Sequence, residues 1–150
     1  KIDYPSTGSE RKILELSRDE KNSKIKAFEN PLTQSQLNKA RAAVREVRMS
    51  EQVEEYLVQI ILATRNSEKY GGNLSDWLEF GASPRATIAL DICSKSLAWL
   101  DNRNFVTPDD IRSIAHDVLR HRLILSFEAE ANGISSDQVV DELLKVVPSA

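Results

Sequence analysis

The chain has 150 residues and a net charge of −3, with 41% hydrophobic and 29% charged residues. That is enough for one domain with a core, or a small domain plus an extension. Its pI of about 5.5 gives none of the overall basic character expected of a nucleic-acid binder. The single cysteine, Cys93, excludes an intrachain disulfide and fits a reducing compartment. No apolar run approaches the roughly 20 residues that span a bilayer, and no secretory pattern opens the chain, so a cytoplasmic protein is expected. A start at Lys1 rather than methionine is expected of a piece of a longer protein.

Lys1–Pro5 is expected to be extended, because a proline disfavours helix in the residue before it. Thr7 and Glu10 match a capping box, a hydroxyl acceptor with a carboxylate three residues on, and predict a helix over Gly8–Ser17 with Ile13, Leu14 and Leu16 as apolar contacts. Arg18–Pro31 is polar apart from Phe28 and reads as a connecting segment and domain boundary. Thr33 and Gln36 form a second capping box for a helix over Gln34–Arg45, with Leu37, Ala40 and Val44 at helical spacing. Ser50 caps the next helix, where Val53, Tyr56, Leu57, Ile60 and Ile61 make one apolar stripe ending near Arg65-Asn66.

In Asn66–Phe80, Gly71-Gly72-Asn73 is a breaker, while Trp77, Leu78 and Phe80 are apolar enough to pack down. Ser83 and Pro84 start a helix to Leu100, proline standing where its missing N–H is harmless. Its expected inner face is Ala89, Cys93, Leu97 and Leu100, flanked by Ile88 and Ile92. Thr107-Pro108-Asp109-Asp110 opens another helix with cap, proline and first-turn carboxylates, and Ile111, Ile114, Ala115 and Val118 face inward. Val118–Leu125 could be extended, and Phe127–Ala131 is a short helical turn. Ser135 and Gln138 make a third capping box for a final helix with Val139, Val140, Leu143, Leu144 and Val147 inside, stopped by Pro148. No period-two pattern persists, so the fold class is all-α, a bundle of about six helices.

The sequence contains no G-x-x-x-x-G-K-S/T phosphate loop, no G-x-S-x-G elbow and no H-E-x-x-H helix. His116 and His121 lack a supporting cysteine pair, so no metal site is expected. Cys93 reads as a small core residue. Helix-dipole compensation accounts for Asp109-Asp110 and Glu54-Glu55. Arg120-His121-Arg122 is a basic cluster with two open readings: a solvated turn with salt bridges, or a contact to a core or a neighbouring subunit. Arg85 stands apart. A cation near a helix N-terminus opposes the macrodipole, yet the same end attracts anions, and a guanidinium fork matches phosphate oxygens. The alternatives are an exposed arginine or one paired with Glu79.

Gly81-Ala82-Ser83-Pro84-Arg85-Ala86 resembles the sensor-2 motif of MoxR-type ATPases, a branch of the AAA+ superfamily. Four further segments resemble the same family in the same order: Tyr4-Pro5-Ser6, where the ATPase core ends; Ala63-Thr64-Arg65, closing an early lid helix; Val106-Thr107-Pro108-Asp109-Asp110-Ile111; and Val118-Leu119-Arg120-His121-Arg122-Leu123. The resemblance implies a helical lid over 33–150, with 1–32 as the end of the ATPase core and a connecting segment. It implies that Arg85, positioned by Ser83 and Pro84, contacts nucleotide phosphates in its own subunit or across a subunit boundary. Arg65, Arg120 and Arg122 are candidates for intersubunit or core contacts. The implied cofactors are ATP and Mg2+ in the full-length protein, none held by this chain alone. The implied partners are the upstream core, neighbouring subunits of a hexameric ring, and a von Willebrand factor A domain protein. The implied outcome is chaperone-like remodelling or maturation. Walker A, Walker B, sensor-1 and arginine-finger elements would lie upstream, so this chain is not expected to hydrolyse ATP. The 66–80 loop is longer than in many members. Two other functions stay open: a helical protein-interaction module using Trp77, Phe80 and the C-terminal stripe, and a helix-turn-helix DNA binder, which the acidic pI opposes.

Overall fold

A computed structural model of the chain describes residues 4–20 and 30–149. The chain divides into two compact units, Lys1–Leu37 and Asn38–Ala150. In the first, helix α1 spans Thr7–Glu20, one residue longer at its start and three at its end than expected. Its cap is Ser6 rather than Thr7: the Ser6 carbonyl accepts the Glu10 N–H at 2.9 Å, and the Ser6 hydroxyl accepts the Ser9 N–H at 3.4 Å. Ile13, Leu14 and Leu16 are exposed, not packed as expected. The expected connecting segment with its Phe28 anchor lies, over 21–29, outside the described residues.

Helix α2 spans Gln34–Arg45, as its capping box predicts: Gln36 Oε1 accepts the Thr33 N–H at 2.8 Å, and Thr33 Oγ1 accepts the Gln36 N–H at 3.2 Å. The division between units falls within it. The second unit holds the core. Helix α3, Glu51–Arg65, is capped by Ser50 and buries the whole expected stripe, Val53, Tyr56, Leu57, Ile60 and Ile61. Before it, the Arg48 N–H donates to Asn104 O and the Val106 N–H to Arg48 O, both at 2.9 Å, so Val47 and Val106 are buried together with the core.

The 66–80 stretch is not a plain loop. It holds a 3-10 turn, Ser67–Lys69, then helix α4, Leu74–Trp77, and strand β1, Leu78–Phe80. β1 pairs antiparallel with β2, Ile124–Leu125, a pairing that the absence of a period-two pattern did not foresee. Two and three residues are too short to show a period, and only the partner strand stabilises them. Leu74 is the buried anchor here; Trp77 and Leu78 are partly buried, while Phe80, expected to pack down, is 62% exposed.

Helix α5, Pro84–Leu100, packs on α6, Pro108–Leu119, and on α3. Its buried residues are Ala86, Leu90, Ser94 and Ala98, not the expected Ala89–Cys93–Leu97–Leu100 face. Three of the four, Ala86, Ser94 and Ala98, are small and let the backbone approach its neighbours closely, while Leu90 fills the core between them. Ser94 is burial-compatible because its hydroxyl donates to Leu90 O at 2.7 Å. Larger Ile88, Ile92 and Leu100 stay outside, and Cys93, expected in the core, is exposed.

Asn102, at φ 58°, ends α5 in the left-handed region, and the Arg103 N–H reaches back to Ala98 O at 2.8 Å. α6 continues to Leu119, so of the 118–125 stretch only Ile124–Leu125 is strand. Helix α7, Phe127–Ala131, is capped by Ser126, and α8, Ser136–Val146, by the expected Ser135–Gln138 box. Val139, Val140, Leu143, Leu144 and Val147 close the core against α3, α4 and α6. The described residues thus form eight α-helices and a two-stranded ribbon, a helical fold in which the short helix Leu74–Trp77 was not expected and Phe127–Ala131 was.

Candidate functional site

The site is built where β1 hands over to α5. The loop Gly81-Ala82-Ser83 runs against the last turn of α3. A Cβ on Gly81 would stand 2.6 Å from the Thr64 carbonyl carbon, 2.8 Å from its Oγ1, and closer still to its carbonyl oxygen. Gly81 is not among the described glycines at positive φ, so close approach, not turn geometry, excludes a side chain here. The Ala82 N–H donates to Thr64 Oγ1 at 2.9 Å, and Thr64 Oγ1 donates to Ile61 O at 2.7 Å. Ala82 O accepts from Arg65 Nε at 2.7 Å. Two segments singled out separately in the sequence, Ala63-Thr64-Arg65 and Gly81–Ala86, are therefore one structural unit.

From this platform α5 begins. Ser83 has the extended backbone of a cap residue (φ −74°, ψ 167°), and the Ala86 N–H donates to its carbonyl at 2.9 Å. Its hydroxyl, expected to cap, accepts no helix N–H, and no acidic residue stands in the first turn. Arg85 is the second helical residue and is exposed. Among the described residues it has no ion pair, so the possible pairing with Glu79 is not formed. A helix end without a side-chain cap and a guanidinium are left open together, an arrangement that can hold an anion such as a phosphate.

The other candidate arginines have partners inside the chain. Arg65 supports the loop through Nε. Arg120 Nε donates to Asp137 at 2.8 Å and Nη1 to Asp117 at 2.7 Å, tying the end of α6 to the start of α8. These bonds, to Asp137 first, raise the Arg120 pKa against the opposing effect of burial. Arg122 Nε donates to Val118 O at 2.9 Å and closes the α6 C-terminus. His116 Nε2 meets Asp141 Oδ1 at 3.0 Å. The Arg120 bonds are the salt bridges anticipated for the basic cluster.

Two polar centres escaped the sequence reading. Arg103 grips Asp110 through Nη1–Oδ2 at 2.8 Å and Nη2–Oδ1 at 2.6 Å, and Nη2 also reaches Asp101 at 3.0 Å. Asp110 is 5% exposed and accepts the Thr107 N–H at 2.8 Å and its hydroxyl at 3.0 Å. Burial pushes its carboxyl up, but Arg103 and the two Thr107 donors outweigh burial and hold it below the ordinary 3.8. Asp110 is therefore more than a dipole-compensating acid; the Thr107–Asp110 spacing was the visible signal of its capping half. Arg112 Nη1 donates to Tyr56 Oη at 3.1 Å and Leu144 O at 2.9 Å, joining α6, α3 and α8 with no local sequence signal.

Residues 75–143 match the family described as the AAA lid domain. The chain is 40% identical over 94 residues to the chaperone MoxR1 of Mycobacterium tuberculosis, covering 62% of this chain and 25% of that protein. It is 31% identical over 147 residues to YeaC of Bacillus subtilis, an uncharacterized protein, covering 98% and 43%. The crystal structure of a candidate ATPase from Cytophaga hutchinsonii superposes with a TM-score of 0.81 at 33% identity, covering 99% of this chain and 45% of that one. The chain spans less than half the length of each of these proteins.

Proposed function

We propose that this chain is the lid-bearing part of a MoxR-type AAA+ ATPase, and that it senses the nucleotide through Arg85. One observation carries the proposal: Arg85 is exposed, without a partner among the described residues, at the head of a helix that supplies no acid of its own. An exposed guanidinium at the positive end of a helix dipole fits phosphate oxygens. Residues 1–32 would close the ATPase core and 33–150 would form the lid. ATP and Mg2+ belong to the upstream core, since no phosphate loop occurs in this sequence. Bound nucleotide supplies the negative charge; Arg85 supplies the differential contact that holds the lid in one position, and loss of that contact releases it. In a ring, hexameric in this proposal, the movement couples hydrolysis to chaperone-like remodelling of partner proteins, von Willebrand factor A domain proteins among them, in the cytoplasm. No helix among the described residues is long and apolar enough to cross a membrane.

The competing interaction-module reading keeps exposed Phe80 but is weakened, because the C-terminal stripe it needs is buried in the core and Trp77 is partly buried. The test is Arg85→Ala in the full-length protein. Loss of a charge-assisted hydrogen bond predicts about a 10- to 100-fold drop in nucleotide-dependent activity. Far-UV circular dichroism should be unchanged, since Arg85 supports no packing. Parental turnover and remodelling in that variant would sink the sensor role.

A further inference from the structure

We infer that Thr64 and Arg65 are positioning residues for Arg85, an inference that rests on the sensor role proposed above. The last turn of α3 holds both backbone polar groups of one loop residue, Ala82. Thr64 takes the Ala82 N–H and Arg65 the Ala82 carbonyl, at 2.9 and 2.7 Å. The Thr64 hydroxyl proton is committed to Ile61 O at 2.7 Å, so toward Ala82 the hydroxyl acts only as acceptor. Thr64 is 2% and Ala82 1% exposed, which keeps competing water away from the first bond. Gly81 allows the loop backbone to reach this contact at all.

From Ala82 to Arg85 there is little slack. Pro84 fixes one backbone angle, and Ala86, fully buried, pins the far side of Arg85. The arginine therefore projects between two buried alanines whose placement α3 dictates. Loosening the Thr64–Ala82 or Arg65–Ala82 bond would keep the guanidinium yet shift where it points, and small misplacements of a charged contact cost rate. Arg65, read from the sequence as a candidate contact to another domain, spends its Nε inside the lid.

The experiment is a double-mutant cycle in the full-length protein, following ATP turnover (KM and kcat) for Thr64→Val, Thr64→Ser, Arg85→Ala and Thr64→Val/Arg85→Ala. Valine keeps the shape and removes the acceptor. Thr64→Val should weaken nucleotide-dependent turnover about three- to tenfold, the scale of one hydrogen bond, and Thr64→Ser should restore it. In the Arg85→Ala background the same change should have no further effect, because no guanidinium is left to position. If Thr64→Val fails to fold, Arg65→Met, at an exposed residue, replaces it in the cycle. Parental turnover in the clamp variant, or the same loss with and without Arg85, overturns the positioning role while the sensor role stands. Parental turnover in Arg85→Ala overturns the sensor role itself, and the positioning role with it.

Discussion

Helices α5 and α6 open with the same local recipe and finish it differently. Each begins with a hydroxyl residue followed by proline: Ser83-Pro84 for α5, Thr107-Pro108 for α6. Each has an arginine close to its head. At α6 the chain completes the electrostatics itself. Asp109 and Asp110 occupy the first turn, Asp110 takes the Thr107 donors, and Arg103 is neutralised by Asp110 and Asp101. At α5 there is no first-turn acid and no side-chain cap bond, and Arg85 is exposed. The backbone of that open end is nevertheless firmly held, by the Thr64–Ala82–Arg65 bonds. A satisfied head is a structural joint. An unsatisfied head on a rigid mount has the physical properties of a site, because its anion must come from elsewhere.

The contrast can be broken from either side. The largest stability effect belongs to α6. Asp110→Asn removes the charge that Arg103 grips, and should destabilise the 150-residue chain by about 2–3 kcal/mol in urea unfolding. That is at or below the roughly 3–5 kcal/mol of a fully buried pair, because the Arg103 side chain is 29% exposed. The acid behaviour follows from the direction of the Asp110 shift. Its folded carboxyl lies below the ordinary 3.8, so its contribution is complete above that value and disappears as pH falls through the folded value. Parental stability should therefore drop below about pH 4 more steeply than that of Asp110→Asn. Equal slopes would show that the pair does not stabilise the fold.

Next in size is Gly81→Ala, whose methyl group would press on the Thr64 backbone. Overpacking of this kind costs about 1–3 kcal/mol, readable as a lowered urea midpoint. An unchanged midpoint would mean that the loop is not held as tightly as the contact implies. The smallest effect has the opposite sign. Arg85→Glu places an acid where the helix dipole favours one, and should stabilise the chain by about 0.3–1 kcal/mol at low salt while abolishing nucleotide response in the full-length protein. A variant less stable than the parent would show that Arg85 already has a stabilising partner, and the contrast between the two helix heads would disappear.

Much of the fold was legible where the information was local. The Thr33–Gln36 and Ser135–Gln138 boxes place α2 and α8, and the Ser50 cap with its regular stripe places α3 and its buried face. At the site, Arg85 was legible as a cation in an unfavourable position. Its mount was not, because Thr64 and Ala82 are 18 residues apart and neither shows a motif for the bond. The Arg103–Asp110 grip was half legible: the cap spacing is local, while the guanidinium reaches its partner only once the α5–α6 turn is folded.

The amino-acid sequence by itself determined the helical class, the principal helix starts and the odd placement of Arg85, since caps, prolines and apolar spacing act over three or four residues. The tertiary structure decided which face of α5 is buried. It chose Ala86, Leu90, Ser94 and Ala98, three of them small, over the expected stripe, because close packing against α6 depends on a neighbour that no local window contains. It also decided that Leu78–Phe80 and Ile124–Leu125 pair, and that the end of α3 holds the loop before Arg85. Local rules act within one element; the direction in which its side chains can work is set by what lies against it.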